Sequence, residues 1–188
     1  MNVVSATGPA TGQVRIRLLA PDDARSQFDC GDIELDRFFQ RYAGQNQFRH
    51  HIGSTYVAVL DGNIAGFVTV SPGELTADTV AAALKKKLPA YPIPVLRIAR
   101  LAVDTRFQGR GIGRFMLRAM FELALELRDR VGCAGVVVDA KADAASFYQR
   151  LGFMPLSAGR GTLAVRPEPL PMFLPIKLIE KARAGREG

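Results

Sequence analysis

Cysteine and histidine are scarce in this 188-residue chain, two of each. Cys30 and Cys133 lie far apart and match no metal-ligand spacing. They are expected to be reduced, half-buried small residues of a cytoplasmic protein. His50 and His51 share a polar, basic stretch, and no Ser/His/Asp spacing accompanies them. No segment approaches the ~20 apolar residues needed to span a bilayer. Met1 to Gln13 has neither a basic n-region nor an apolar h-region, so it does not read as a signal peptide. A disordered lead-in is expected over 1–13, a single domain over 14–180 and a charged, frayed tail over 181–188. There is no internal repeat.

Acid is the smaller share of the charge: 18 Asp and Glu against 25 Lys and Arg give a net +7. A basic surface suits a polyanionic partner, and arginine suits phosphate contacts. Arg100, Arg106, Arg110, Arg114 and Arg118 cluster along one stretch, while Arg15, Arg17, Arg37, Arg41 and Arg49 lie elsewhere. Apolar residues make up 48% of the chain, enough for a sizeable core.

The densest signal is Arg100-Leu101-Ala102-Val103-Asp104 followed by Gln108-Gly109-Arg110-Gly111-Ile112-Gly113. An apolar strand enters a glycine-rich turn, and the turn opens a helix. Glycines let the backbone approach a ligand, and a helix N-terminus offers unpaired N–H groups and partial positive charge. Together they form a phosphate or pyrophosphate site. A P-loop is excluded, because Arg114 and Phe115 follow Gly113 where Lys and Ser/Thr are needed. A dinucleotide turn needs Gly-x-Gly-x-x-Gly, and position 114 is arginine.

The remaining pattern is Gln-x-x-Gly-x-Gly, at Gln108, Gly111 and Gly113. Downstream, Ile112, Phe115, Met116, Ala119, Met120, Leu123 and Leu127 make one apolar helix face. Gly135 to Val138 is a short, wholly apolar strand. Asp143 to Phe153 reads as a short helix closed by Gly152, with the spacing Phe147-Tyr148-x-x-x-Gly152-Phe153. This order resembles the GNAT superfamily of N-acetyltransferases, strongly over Val95 to Phe153 and more weakly elsewhere. The resemblance implies an α/β (α+β) GNAT fold: a mixed central sheet, flanked by helices, whose central strands splay around the pantetheine arm of acetyl-CoA.

Elsewhere, Val14 to Leu19 predicts a first strand. Asp32 predicts the cap of a helix carrying Ile33, Leu35, Phe38, Phe39 and Tyr42 and ending near Gly44. Residues 45–53 read as a polar loop. Thr55 to Leu60 and Ile64 to Val70 predict a hairpin turning at Asp61-Gly62-Asn63. Thr76 to Leu88 predicts a short helix ending in Lys85-Lys86-Lys87, and Pro89 to Pro94 a connection. Gly161 to Val165 and Met172 to Ile179 predict two closing strands.

Phe28-Asp29-Cys30-Gly31, Leu35-Asp36-Arg37-Phe38-Phe39, Ala43, Gln45 and Thr55-Tyr56-Val57-Ala58 are similar, in that order, to one GNAT branch. Its members are bacterial toxins of the TacT and AtaT type, which acetylate aminoacyl-tRNA. The resemblance implies an acetyl-CoA-dependent enzyme that blocks translation, a homodimer, and a small DNA-binding antitoxin. It assigns the thioester and pantetheine to backbone around Leu101, Ala102 and Val103. The pyrophosphate falls to Gln108, Gly109, Arg110, Gly111, Ile112, Gly113 and Arg114, and the general acid to Tyr148. A phenol keeps its proton at neutral pH and can give it to a thiolate. Arg37, Arg41, Arg49 and Lys85 to Lys87 are candidate tRNA contacts.

No general base stands out; the α-amine of an aminoacyl ester is weakly basic, and a water can take its proton. Two other readings remain open. One is a GNAT enzyme for a small-molecule or protein amine, for which Asp29, Asp32, Glu34 and Asp36 would form the acidic acceptor pocket. The other is a basic binding module that keeps the fold without catalysis.

Overall fold

The computed structural model describes residues 4–5, 13–76, 92–156 and 169–187. Beyond Thr76, the helix expected over Thr76 to Leu88 with its lysines, and the strand expected at Gly161 to Val165, lie outside these residues. The chain divides into two compact units, Met1–Ser71 with Ala99–Met120, and Pro72–Ile98 with Phe121–Gly188.

In the first unit, β1 (Val4–Ser5), β2 (Arg15–Leu18), β3 (Ser54–Leu60) and the first part of β4 (Asn63–Leu75) pair antiparallel in that order. β1 sits within the stretch expected to be disordered; it takes up hydrogen bonds along β2, Val4 opposite Ile16. The hairpin turns where Asp61 and Gly62 both adopt positive φ, 49° and 79°, the geometry of a tight two-residue turn. β4 runs past its expected end at Val70 to Leu75, through Pro72 and Gly73. The Pro-Gly pair reads locally as a turn, but it is carried on as strand.

A helical run spans 33–50. It comprises α1 (Ile33–Arg37), a π-helical turn (Phe38–Tyr42), α2 (Ala43–Gln45) and a second π-helical turn (Asn46–His50). Asp32 caps it as expected, accepting from the N–H groups of Glu34 and Leu35. It does not stop near Gly44, and residues 45–50 are not a loop. Gly44 is not among the positive-φ glycines and its backbone stays helical; a Cβ on it would stand 2.6 Å from Arg25 Nη1, so the guanidinium lies beside it. The run ends at His51, in the left-handed region at φ 55°. Its end is held by Gln47, whose amide donates to Leu19 O (2.9 Å) and accepts from Thr55 N (2.7 Å).

Beneath the run lies an aromatic core. Phe39 and Phe67 stack at 4.4 Å with 3° between ring planes, and Phe28 meets both edge-on. Such pairs add about 0.5–1.5 kcal/mol each beyond area burial.

In the second unit, β5 (Ile93–Val103) pairs parallel with β6 (Gly135–Ala140). β8 (Leu170–Pro175) pairs antiparallel with both β6 and β7 (Met154–Pro155). Parallel and antiparallel neighbours together make the sheet mixed. The β5–β6 pairing covers only Leu96 to Ile98 against Val136 to Val138, although β5 continues to Val103. Helix α3 (Ile112–Arg130) follows β5, and α4 (Ala145–Gln149) follows β6.

The closing strand is shorter than expected. β8 stops at Pro175, and Ile176 opens α5 (Ile176–Glu187). The apolar run Met172 to Ile179 therefore divides between strand and helix, with Ile179 buried on the helix. The tail expected to fray from Lys181 is the second half of α5. Ion pairs from Arg128 to Glu180 and from Arg183 to Glu122 (3.6 Å) tie that helix to α3.

Candidate active site

The strand-to-helix turn sits in the first unit. Asp104 N donates to Ala65 O at 3.0 Å, so residue 104 faces β4. By the alternation of a β-strand, Leu101 and Val103 turn their N–H groups toward the opposite edge. Ala102 faces β4 instead: its carbonyl lies 2.9 Å from where a Gly66 Cβ would be.

A short 3₁₀ turn (Thr105–Phe107) leads from Asp104 to Gln108. Gly109 and Gly111 adopt φ 75° and 77°, and a Cβ on either would meet nothing within 4 Å. These glycines are required by backbone conformation and not by crowding, and the space beside them is open to a ligand. Gly111 O accepts from Phe115 N at 3.0 Å, which places Gly111 at the N-cap of α3. Glycine brings no side-chain acceptor there, so the N–H groups of the first turn are left for an outside anion. Ile112 is buried at 3% exposure and anchors the turn to the core. Gly113 stands in the first turn of α3, while Arg110 and Arg114 are exposed. Arg106 and Arg110 hold their guanidinium groups 5.4 and 5.6 Å from the Phe107 ring.

The Gln108 side chain has a structural use beside its backbone N–H. Its amide donates to Cys30 O (3.1 Å) and Val103 O (3.0 Å). Gly66 is a determinant that the motif reading passed over. A Cβ there would stand 2.9 Å from both Ala102 O and Met116 Sδ. Its absence lets α3 close down on β4 and β5. The signal was available as a lone glycine inside a strand pattern.

Tyr148 lies in the second unit on α4, 6% exposed. Phe147 meets it edge-on at 5.2 Å and Phe153 at 5.4 Å. The helix ends in a Schellman motif: Phe153 N donates to Tyr148 O (3.2 Å) and Gly152 N to Gln149 O (2.9 Å), with Gly152 at φ 91°. In this motif the residues three before and two after the cap pack together. The spacing Tyr-x-x-x-Gly-Phe is thus set by cap geometry, which fixes the phenol against Phe153. Burial pushes the Tyr148 pKa up to about 12, so the hydroxyl holds its proton across the physiological range.

Arg37, Arg41 and Arg49 are all exposed on the helical run. Ile33, Tyr42, Phe48 and Ile52 are exposed large apolar residues of the same stretch. The acidic residues nearby are largely committed to backbone. Asp29 accepts from Gly31 N, Asp32 caps α1, and Asp36 accepts from Cys30 N at 2.8 Å. Among the described residues no group of three His, Cys, Asp or Glu is placed to hold a metal ion. No helix among them is long and apolar enough to cross a membrane.

Residues 51–155 match the family model described as "Acetyltransferase (GNAT) domain". The chain belongs to the GNAT acetyltransferase family. It is 31% identical to a tRNA-acetylating toxin of Mycobacterium tuberculosis, over 73% of this chain and 81% of that one. A probable toxin TacT of Sinorhizobium fredii is 25% identical, over 87% and 93%. Among solved structures, AtaT complexed with acetyl-methionyl-tRNAfMet superposes with TM-score 0.79 at 25% identity, covering 90% of this chain and 99% of that one. A bacterial toxin structure gives TM-score 0.81 at 28% identity over 91% and 95%. AtaTR bound with acetyl-CoA gives 0.73 at 26% over 90% and 98%. As a GNAT acetyltransferase, the protein is an acyl-transferring enzyme with the expected mixed α/β fold.

Proposed function

We propose that this protein transfers acetyl from acetyl-CoA to the α-amine of aminoacyl-tRNA, acting as the translation-blocking toxin of a toxin–antitoxin pair. The observation that carries the reading is its likeness to the tRNA-acetylating toxin over nearly three quarters of the chain. The AtaT complex with an acetylated aminoacyl-tRNA supports it. A cytoplasmic site of action, a homodimer and a small DNA-binding antitoxin belong to the same proposal. AtaT bound to the antitoxin AtaR is among its structural neighbours.

The glycine turn fits the cofactor: it is open, conformationally specific and opens a 19-residue helix. Bound acetyl-CoA supplies the acetyl group as a thioester. N–H groups of residues 108–113 hold the pyrophosphate, with Arg110 and Arg114 in reach of phosphate charge. Leu101 and Val103 offer backbone N–H groups to the thioester oxygen and pantetheine; fixed donors stabilise developing negative charge without reorganising. Tyr148 donates its proton to the departing sulfur. Arg37, Arg41 and Arg49 contact tRNA phosphates.

Incubation with labelled acetyl-CoA and total aminoacylated tRNA tests the reading, with deacylated tRNA as control. Label is expected only in charged tRNA, with uptake falling as salt rises. Label that enters small amines or protein instead would overturn it.

A further inference from the structure

Just before the glycine turn, two backbone segments distant in sequence are tied together. Asp29 N donates to Asp104 Oδ2 (3.3 Å), and Thr105 N donates to Asp29 O (2.8 Å). Gln108 Nε2 donates to Cys30 O (3.1 Å) as well as to Val103 O (3.0 Å). Asp104 is a carboxylate at 1% exposure. Such a group is tolerated only when its oxygens are satisfied. Arg106 supplies N (3.0 Å), Nε (2.8 Å) and Nη2 (2.9 Å) besides the Asp29 amide. From the tied segment the chain of bonds continues to the helical run: Cys30 N donates to Asp36 Oδ1 (2.8 Å) on α1.

We propose that Asp104 and Gln108 are positioning residues that couple the cofactor turn to the helical run bearing Arg37, Arg41 and Arg49. The inference rests on the reading that acetyl-CoA binds at residues 108–113. Gln108 belongs to that turn, so a ligand that immobilises the turn also fixes the Gln108 amide. Through Cys30 and Asp36 it then immobilises the start of α1. A second ligand meeting the ordered run loses less conformational freedom on binding. Cofactor therefore tightens the acceptor site, and by linkage the acceptor tightens the cofactor site by the same factor.

Hydrogen–deuterium exchange of the full chain, with and without CoA, tests the coupling at named amides. In the wild type, CoA is expected to slow exchange at 108–113 and also at 29–36. In Asp36→Ala, which breaks the bond to Cys30 N but leaves the turn and the Gln40–Phe28 bond (2.9 Å) intact, slowing should persist at 108–113 and weaken at 33–37. Gln108→Ala, which removes the bond to Cys30 O but leaves those joining Asp29 to Asp104 and Thr105, should weaken the slowing across 29–36. In parallel, CoA is expected to tighten aminoacyl-tRNA binding by about fivefold or more in the wild type and by a smaller factor in Asp36→Ala. Slowing confined to 108–113 in the wild type, or unchanged slowing at 33–37 in Asp36→Ala, would overturn the coupling while leaving the cofactor site in place. No slowing at 108–113 would remove the cofactor reading, and the coupling with it. If one variant fails to fold, the other decides.

Discussion

Met116 Sδ lies where a side chain on Gly66 would be: a Cβ there would stand 2.9 Å from that sulfur and equally near Ala102 O. The thioether can shift, but the carbonyl belongs to β5, the strand carrying Leu101 and Val103. Gly66→Ala is therefore expected to destabilise the protein by about 1–3 kcal/mol through overpacking. Chemical denaturation checks this, and in a double-mutant cycle the cost of Gly66→Ala should shrink, but not vanish, when measured in a Met116→Ala background.

Gly111→Ala probes a different demand. Nothing crowds its Cβ position, but φ is 77°. An L-residue there costs roughly 1–2 kcal/mol, and relaxing the strain turns the N–H groups away from an anion. Calorimetry should show acetyl-CoA affinity falling far more than melting temperature.

Tyr148→Phe should leave acetyl-CoA binding intact and reduce turnover by roughly 10²- to 10⁴-fold, the usual contribution of a positioned proton donor. Equal loss of kcat and kcat/KM is the expected signature. A variant with wild-type turnover removes Tyr148 from the chemistry.

The same phenol makes a stability prediction at high pH. Folding raises its pKa from 10.0 to about 12 through burial. Above pH 10 the unfolded chain releases this proton while the folded chain keeps it, so unfolding becomes more favourable as pH rises. The contribution, about 2–3 kcal/mol, is fully present below pH 10 and lost by pH 12. Denaturation curves between those values should fall less steeply for Tyr148→Phe.

Cys30 should be a poor nucleophile. Burial, followed by the hydrogen bond with Asp36, pushes its thiol up to about 12 from 9.0. At pH 8 this lowers the thiolate fraction by roughly a thousandfold. Alkylation monitored by mass should be slow at Cys30 in the folded protein and fast in denaturant. Asp36→Ala should accelerate it in the folded state.

Much of this molecule was legible in its local sequence. Gly109, Gly111 and Gly152 are demanded by backbone conformation, which is a property of a few consecutive residues. The Asp61-Gly62 hairpin and the Asp32 cap are equally local, whereas on α3 only Ile112, Met116, Ala119 and Met120 of the expected face are buried, joined by Leu117, Ala124 and Leu125 while Phe115, Leu123 and Leu127 stay half-buried. What failed to show were contacts between distant segments. Gly44 reads as a helix stop, but it keeps helical backbone with Arg25 beside it, and the run continues to His50. Gln108 reads only as part of the turn's backbone, and that its side-chain amide ties the turn to Cys30, 78 residues away, shows only in the fold. The strand expected to end at Val70 runs on to Leu75, and the tail from Lys181 reads as frayed until Glu122 and Arg128 hold α5. Backbone preference is decided within a turn or two of chain. Side-chain space and hydrogen-bond partners are set only when segments far apart in sequence meet, and there tertiary packing overruled the local signal.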